Sequence, residues 1–356
     1  MSPNMDQSTG QLFAEDPCPP PPPPPEKKEF KPHKAKIYWR NVFTLTYFHL
    51  SSILGVYLLF TNTKWPTYLW VLGLYVVTKI GITAGVHRLW THKSYKANFP
   101  LRALLMLFFT MAFEGKVWVW ARDHRVHHKY QETDADPYNA GRGLWFSHMG
   151  WLMQSKHPDV IEKGKGIDMS DLKADGLVMF QKKYYWPLVY VLCLIMPTVV
   201  PVYFWGESWI TAWHVAVCLR FVMSYNATWL VNSIAHKYGS QPYDVNFFAR
   251  ENKSVSVVTL GEGWHNYHHT FPWDYKTSEM GTYGYNLTTG FIDFFAKIGW
   301  AYDLKTVSPE HVRKRALRTG DGTHPIHQEK ELWGWDDKDM PKEERRAAQI
   351  INRKDA

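Results

Sequence analysis

Three clusters of histidines in this sequence have the spacing expected of metal ligands. Within residues 122–128 the imidazoles fall at i, i+3 and i+4, so one helical turn presents all three on the same face. The same spacing recurs near residue 265, and a pair of histidines precedes both clusters. Imidazole is a common ligand of iron, zinc, copper and nickel. The clustered histidines are His87, His92, His124, His127, His128, His265, His268 and His269.

These histidines outnumber the three or four ligands of one zinc ion, so the sequence predicts two metals in one site. His236 is a further candidate ligand, because it directly follows an apolar run. Asn232 precedes it by four residues, on the same helical face, and could hold a bound water. His87 and His92 lie about 140° apart on a regular α-helix. The helix is therefore expected to end or bend between them.

Long apolar runs are the elements that must position these histidines. Four runs of about twenty residues carry at most one charge each, and this is the length that an α-helix needs to cross a bilayer. The predicted spans are residues 42–61, 65–86, 184–205 and 209–231. A shorter run, 99–113, is interrupted by Arg102 and is expected to form an interfacial or buried helix.

Short turns join the spans into two hairpins, so all their open ends lie on one side of the membrane. Six basic residues between positions 27 and 40 place that side in the cytosol by the positive-inside rule. Both termini and every histidine cluster then face the cytosol. The prediction is an all-α integral membrane protein, with four transmembrane helices and a cytosolic helical cap that holds the histidine-rich site. A soluble all-helical protein is the alternative, but it leaves the four apolar runs unexplained.

The polar ends of the chain frame one predicted domain. Residues 1–36 include seven consecutive prolines and are predicted to form a disordered, Pro-rich cytosolic leader. Residues 37–305 form the domain, with cytosolic segments 87–183 and 232–305, and residues 306–356 form a polar cytosolic tail. The formal charge of +8 would allow a nucleic-acid partner. No Lys/Arg stripe is interleaved with stacking aromatics, however, so nucleic acid is not expected.

A site whose ligands are all histidines excludes several known classes of metalloprotein. Soluble di-iron bundles use carboxylates together with Glu-x-x-His, and the HExxH motif of zinc metalloproteases does not occur in the sequence. A histidine-lined zinc transporter would place its ligands within the membrane, whereas these histidines lie outside the predicted spans. The remaining prediction is oxygen chemistry by two irons on a substrate reached from the membrane surface.

The segments HRLWTH, HRVHH and HNYHH resemble the three histidine boxes of the membrane fatty-acyl desaturases. Around them, ITAGVHRLWTH, WARDHRVHHKY, NATWLVNSIAH and GEGWHNYHHTFPWDY are similar to the acyl-CoA desaturases of animals, the stearoyl-CoA desaturase family. WGWDDKDM near the C-terminal end is similar to insect members, notably those of moths. The resemblance covers residues 37–340 approximately.

This resemblance implies an O2-dependent enzyme of the stearoyl-CoA 9-desaturase type in the endoplasmic reticulum membrane, acting on saturated acyl-CoA. One iron would be held by His87, His92, His124, His128 and His268. The other would be held by His127, His236, His265 and His269, with a water on Asn232. Electrons would come from cytochrome b5 and its NADH-dependent reductase, as separate proteins, because the chain has no HPGG-type haem segment. A related di-iron hydroxylase or conjugase and a non-catalytic zinc-binding membrane protein remain alternatives.

The resemblance also implies substrate contacts. The residues at family positions for CoA binding are Asn41, Arg122, Asp123 and Lys156, although Arg122 and Asp123 could instead form a structural pair. The residues that match the acyl channel and its bend are Trp120, Thr228 and Trp229. Tyr75 matches the closed end of the channel.

Three residues near the channel depart from the family pattern. Glu114 and Gly115 replace a usual Gln and Asn, and Lys79 replaces a small or neutral residue. A Lys79–Glu114 pair across the channel is one way to offset both charges. Lys79 is expected either to limit how deep the methyl end of the acyl chain goes or to snorkel to the cytosolic interface.

Overall fold

The computed structural model describes residues 34–279 and 283–328, together with 334, 335, 338, 340 and 342–348. This part of the chain is mostly helical. Its one sheet pairs two short antiparallel strands, β1 (Lys96–Ala97) and β2 (Ala301–Tyr302). Residues 1–33 of the predicted leader and much of the WGWDDKDM segment lie outside the described residues.

The helices before residue 184 include two long ones and a series of shorter ones. They are α1 (Trp39–Thr61), α2 (Trp65–Ile80), α3 (Phe99–Ala112), α4 (Val117–Tyr130), α5 (Leu144–His148), α6 (Pro158–Lys165), α7 (Ser170–Ala174) and α8 (Gly176–Lys183). A π-helical segment, Gly81–Thr91, continues α2 without a break. Short 3-10 turns are formed by Ala140–Arg142 and Gly150–Leu152.

The second part of the chain has two more long helices, each containing a π-helical segment. Its α-helices are α9 (Tyr185–Val189), α10 (Met196–Trp205), α11 (Trp209–Thr211), α12 (Arg220–Ser233), α13 (Lys253–Thr259), α14 (His265–Thr270), α15 (Leu287–Lys297), α16 (Pro309–Thr319) and α17 (Lys342–Ala347). The π-helical segments are Tyr190–Ile195, between α9 and α10, and Ala212–Leu219, between α11 and α12. The 3-10 turns are Ile234–His236, Tyr283–Tyr285 and Pro325–Gln328.

Within the described residues, three helices are long and apolar enough to cross a membrane: Trp39–Thr61, Trp65–Thr91 and Tyr185–Trp205. They match three of the predicted spans. The helix from Trp209 to Ser233 is as long but is not among the three, so its role as the fourth crossing remains a prediction. Helices α3 and α4 meet the same length and composition test only when counted together, and they are bent by 84°.

Large apolar side chains cover the outer faces of the three candidate spans. Phe60 and Phe204 are each 80% exposed, and Trp65 is 72% exposed. Soluble monomers rarely show contiguous apolar surfaces of this kind, whereas lipid contact requires them. The chain is therefore a multi-pass membrane protein rather than the soluble helical alternative.

Glycines allow the long helices to approach closely. A Cβ on Gly55 of α1 would collide with the carbonyl oxygen of His214 in the π-helical segment Ala212–Leu219. A Cβ on Gly81 would collide with the backbone of α3 at Phe108 and Phe109. Small residues at such crossings are typical of helix packing in membranes.

A buried carboxylate joins the turns of the two hairpins. Glu207, 4% exposed, accepts hydrogen bonds from the Lys64 N–H (2.9 Å) and the Thr67 hydroxyl (2.7 Å). The Lys64 ammonium donates in turn to the carbonyls of Trp205 (3.1 Å) and Gly206 (2.5 Å). Both turns therefore lie at the end of the bundle away from the histidine-bearing helix ends.

Helix α3 is buried, in agreement with one of the two readings of its short apolar run. Leu101, Leu105 and Phe109 are fully buried. The Asn98 side chain accepts a hydrogen bond from the Leu101 N–H and caps its start. The helix ends at Ala112, and the next residue, Phe113, caps it with a φ of 60°, in the left-handed region.

Side chains from neighbouring helices satisfy the carbonyls at the end of α3. Arg220 donates to the Met111 carbonyl (3.2 Å), Cys193 to that of Thr110 (3.0 Å) and Tyr225 to that of Phe113 (3.4 Å). Buried helix ends need such partners because water cannot reach their carbonyl groups. These bonds fix the turn that carries Glu114.

Candidate metal centre

His87 and His92 come from the π-helical end of the long helix Trp65–Thr91. The N–H of His92 bonds to the carbonyl of His87 at 3.1 Å, which is an i to i+5 bond, so residues five apart lie one turn above each other. Their ring centroids are 4.8 Å apart. The helix does end between them, at Thr91, as predicted. The π-helical turn that aligns them was not predicted.

The other histidines come from short, closely packed elements. Helix α4 carries the 124–128 cluster and α14 carries the 265–269 cluster, so both i, i+3, i+4 motifs are helical as predicted. His236 ends the 3-10 turn that follows α12. Of the nine rings, those of His92 and His128 are half-buried and the other seven are buried.

The nine histidines form two adjacent groups, and in each group the nitrogen atoms offered lie within 4.8 Å of one another. The first group contains His87, His92, His124, His128 and His268. The second group contains His127, His236, His265 and His269. The rings of His128 and His269 stack with centroids 4.3 Å apart and so connect the groups. This is the division that the family resemblance implies.

The nitrogen positions in the first group suit a metal ion. The Nε2 atom of His268 lies 3.0 Å from that of His87 and 3.0 Å from that of His128. The Nε2 atoms of His124 and His128 are 3.1 Å apart. Two ligands at about 2.1 Å from a metal and at right angles to each other are about 3.0 Å apart. The buried Nε2 of His92 has no hydrogen-bond partner among the described residues.

The second group shows the same features. The Nε2 atom of His265 lies 2.9 Å from that of His236 and 3.0 Å from that of His269. Nε2 of His127 is buried and has no hydrogen-bond partner in the part of the chain that the structure describes. Burial and neighbouring histidines hold the pKa values of His265 and His269 well below their usual range. Both rings are thus neutral, as metal ligation requires, and a set of nitrogen donors fits a first-row transition metal.

A buried aspartate lies behind the second group. Asp136 accepts a hydrogen bond from Nδ1 of His127 (2.9 Å) and others from the N–H groups of Glu132 (2.9 Å) and Tyr138 (3.0 Å). Burial alone would raise the pKa of Asp136, but His127 and these donors lower it below its usual value. The carboxylate therefore fixes the tautomer in which Nε2 of His127 is free to bind a metal.

A buried glutamate likewise contacts the Nδ1 atom of a histidine in the first group. Glu262 lies 2.8 Å from Nδ1 of His87 and 2.8 Å from Nη2 of Arg88, which is fully buried. Burial alone would raise the pKa of Glu262, but Arg88 and His87 lower it to about 2. Sequence reasoning missed both carboxylates. A signal existed for Glu262, three residues before His265, whereas Asp136 lies in an irregular loop.

A mostly apolar cavity of about 340 Å³ reaches both histidine groups. Its wall includes His87 and His124 of the first group and His265 of the second. The residues predicted for substrate or water binding that line this cavity are Asn41, Lys79, Glu114, Trp120, Thr228, Trp229 and Asn232. The structure thus brings most of the predicted channel residues to one wall beside the histidines.

The remaining predicted CoA contacts line a second cavity, of about 440 Å³. Asp123, 6% exposed, forms ion pairs with Arg122 (2.9 Å) and with Lys156. The structural pair between Arg122 and Asp123 therefore exists, and it is shared with Lys156. Asn41 belongs to the first cavity, where its side chain donates to the Leu152 carbonyl at 2.8 Å.

Three expectations about the channel end concern Lys79, its partner Glu114 and Tyr75. Lys79 is 1% exposed, so it does not snorkel to the interface. Lys79 and Glu114 interact electrostatically across the channel, and the Thr228 hydroxyl lies between them, 2.6 Å from the Lys79 ammonium and 2.7 Å from the carboxylate, so the predicted pair is bridged rather than in direct contact. Tyr75 is not among the described residues of the cavity wall; its hydroxyl donates to the Val258 carbonyl at 2.6 Å.

Residues 63–283, more than half of the chain, match the family model described as fatty acid desaturase. The chain belongs to the fatty acid desaturase family. The family assignment from the three histidine boxes is therefore confirmed.

Relatives of this family member extend the match to nearly the whole chain. It is 53% identical over 363 residues to an acyl-CoA Delta-9 desaturase of Acheta domesticus, covering 99% of each chain. It is 53% identical over 310 residues to an acyl-CoA Delta(11) desaturase of Spodoptera littoralis, covering 87% of this chain and 89% of the relative. It is 52% identical over 293 residues to a (11Z)-hexadec-11-enoyl-CoA conjugase of Bombyx mori, covering 82% and 88%.

Proposed function

We propose that this protein is an acyl-CoA desaturase that uses O2 and electrons from cytochrome b5 to introduce a double bond into a saturated fatty acyl-CoA. The observation that carries the proposal is the apolar cavity that ends on two groups of nitrogen ligands. Two relatives with 53% identity are named acyl-CoA desaturases, which supports the same substrate class.

Two iron ions, one held by each histidine group, would activate O2, which is the oxidant that removes hydrogens from unactivated methylenes. The chain's own part is to hold neutral imidazoles in place. Asp136 accepts a hydrogen bond from Nδ1 of His127 and so orients this ring, and Glu262 does the same for His87. Each carboxylate also places a negative charge next to its histidine group. Asn232, on the cavity wall, would hold a water at the second group.

The two cavities divide the substrate between them. Apolar side chains such as Leu45, Ile82 and Trp229 line the first cavity, which excludes water from the acyl chain. Arg122 and Lys156 line the second cavity and offer positive charge to the phosphates of CoA. Asp123 holds both cations in position through its ion pairs.

A conjugase is the second candidate, because the Bombyx mori relative with 52% identity carries that name. Both activities need the same histidines and the same cavity, so they differ only in the acyl chain that is accepted and the product that is released. The endoplasmic reticulum membrane, cytosolic termini and separate cytochrome b5 and reductase proteins complete the proposal.

Metal analysis of the purified protein and product analysis in a desaturase-deficient yeast test this function together. The expected result is iron in the protein and a new monounsaturated acyl product. His265→Ala should abolish the product, whereas His311→Ala, on α16 outside both histidine groups, should retain it. Zinc without any acyl oxidation would overturn the proposal, and conjugated dienes made from a monounsaturated acyl chain would select the conjugase.

A further inference from the structure

Two histidines outside the metal groups contact the indole of Trp229. His49 lies near the middle of α1, and its ring stacks on the indole with centroids 6.3 Å apart and an angle of 18° between the planes. His148 belongs to α5, and its ring meets the indole edge-on, at 5.7 Å and 82°. Aromatic rings pack favourably at such distances. Histidines are rare in membrane-spanning helices and are usually functional, so His49 calls for a role beyond packing.

Asn226 joins the two rings. Its amide nitrogen lies 3.3 Å from Nε2 of His49 and donates to the Val222 carbonyl at 2.8 Å. Its amide oxygen lies 3.0 Å from Nε2 of His148. Asn226 precedes Trp229 by three residues on α12 and therefore shares its face. We call His49, Asn226 and His148 the polar bracket, because the two rings lie against different sides of the indole.

With both rings neutral, the hydrogen bonds of the polar bracket allow one arrangement of protons. Nδ1 of His49 lies 2.8 Å from the backbone carbonyl one turn earlier, which only accepts, so this nitrogen carries the proton and Nε2 accepts from Asn226. The Asn226 oxygen also accepts, so the proton of His148 lies on Nε2. Nδ1 of His148 then accepts from the Ser233 hydroxyl at 2.9 Å, which lies 2.8 Å from the Trp229 carbonyl as well. Each ring is thus held by hydrogen bonds at both of its nitrogens.

The polar bracket meets the cavity through Trp229. The indole is 4% exposed and belongs to the wall of the cavity that reaches both histidine groups. The three bracket residues are not among the described residues of that wall, so they contact the indole from outside the cavity. Rotation of the indole would push both rings away from their hydrogen-bond partners. A fully satisfied network of this kind makes its surroundings rigid, which apolar neighbours of the same size would not do.

We propose that His49 and His148 are positioning residues for Trp229, which fix how the acyl chain lies against the two histidine groups and thus which carbon–hydrogen bonds are broken. This inference rests on the proposed function, since it assumes that the cavity holds an acyl chain. It deepens that function, because it assigns part of the selectivity for the double-bond position to two side chains that lie outside the cavity.

The positions of the double bonds in products made by a desaturase-deficient yeast test the inference, together with the KM for acyl-CoA. His148→Leu removes both hydrogen bonds of one ring at similar volume. It should raise the proportion of products with a displaced double bond by about 2–10-fold, the effect of losing the net free energy of one hydrogen bond. It should also raise the KM for acyl-CoA. His148→Gln keeps one donor and one acceptor and should change both quantities less.

A double variant tests whether the bracket acts as a unit. Asn226→Leu/His148→Leu should displace the double bond little further than either single change, because the residues share one hydrogen-bond network. The metal content should stay at the wild-type level, since no bracket residue belongs to either histidine group.

His214→Leu is the matched control for a loss of stability alone. His214 lies in the π-helical segment Ala212–Leu219 and is half-buried, and its Nδ1 lies 3.2 Å from the Ser51 carbonyl of α1. Among the described residues, its ring makes no contact with the Trp229 indole. His214→Leu should lower the unfolding temperature and leave the double-bond positions unchanged.

A milder change covers the case in which the leucine variants do not fold. His49→Gln keeps one donor and one acceptor but removes the ring that stacks on the indole, so it should still displace part of the product. Wild-type double-bond positions in every bracket variant that folds would overturn the inference, and so would an equal displacement in His214→Leu. If the wild type itself makes no unsaturated acyl product, the proposed function fails instead.

Discussion

Substitution of Asp136 by Asn tests whether a buried carboxylate sustains the second histidine group. Asp136 is 3% exposed and lies 2.9 Å from Nδ1 of His127. Asparagine has the same size and can still accept a bond from the N–H of Glu132 or of Tyr138. It lacks the negative charge, however, and its amide NH2 can also donate to Nδ1. His127 would then carry its proton on Nε2, the nitrogen that must bind the metal.

The expected size of the effect follows from the role of such carboxylates. Loss of a group that hydrogen-bonds to a metal-ligating histidine typically costs 10–100-fold in metal affinity or activity, or about 1.4–2.8 kcal/mol. Asp136→Asn should therefore lower the metal content at limiting metal and reduce turnover by about that factor. His127→Ala removes the ligand itself and should abolish desaturation.

The control must separate metal binding from folding. Asp274 is fully buried and accepts bonds from the Tyr267 hydroxyl (2.9 Å) and the Val307 N–H (2.9 Å), but from no histidine among the described residues. Asp274→Asn should lower the temperature of unfolding while the folded fraction keeps its metal. Metal titration and thermal unfolding of both variants distinguish the two effects. Wild-type metal affinity and turnover in Asp136→Asn would refute the reasoning about this carboxylate.

Three further predictions concern topology, the electron donor and pH. Tags at both termini should be digested by protease in sealed microsomes, and a protected C-terminus would contradict the four-span topology. Turnover in reconstituted membranes should require added cytochrome b5, its reductase and NADH, and full activity without them would show another electron source. Burial raises the pKa of Glu251 to about 8, above its unfolded value, so the stability it contributes is present at low pH and is lost as the pH rises through 8. The unfolding temperature should therefore fall as the pH rises from about 4.5, the ordinary pKa of this carboxyl, to about 8, less so in Glu251→Gln, and equal slopes would exclude this carboxyl as the cause.

Local sequence spacing predicted the histidine motifs well. The clusters on α4 and α14 obey a helical period that depends only on residues within one turn, so the shared face of His124 and His128 followed from the sequence. The π-helical turn that aligns His87 with His92 did not follow, because its residues fit an ordinary α-helix equally well. Hydrogen-bonding register, rather than residue type, distinguishes the two.

Contacts between residues distant in sequence were predicted less well. Lys79 and Glu114 were identified as unusual charges, but the Thr228 hydroxyl that bridges them was not. Thr228 lies 149 positions after Lys79 and 114 positions after Glu114, and no local sequence period encodes contacts over such separations. The carboxylates of Asp136 and Glu262 were missed for a related reason, since their function depends on the histidine they face. The role of Tyr75 was assigned by resemblance, and in the structure its hydroxyl bonds to α13 at Val258 rather than closing the cavity.

The bonds that Glu207 makes to the first hairpin have a consequence for biosynthesis. The Lys64 N–H in the first hairpin turn finds its acceptor 143 residues later in the chain. At a synthesis rate of roughly 5–20 residues per second, that acceptor emerges about 7–30 seconds after the turn itself. During that interval the first hairpin lies in the translocation machinery or in the bilayer without the hydrogen bond from its Lys64 N–H to Glu207. Glu207 thus couples the insertion of the second hairpin to the maturation of the first.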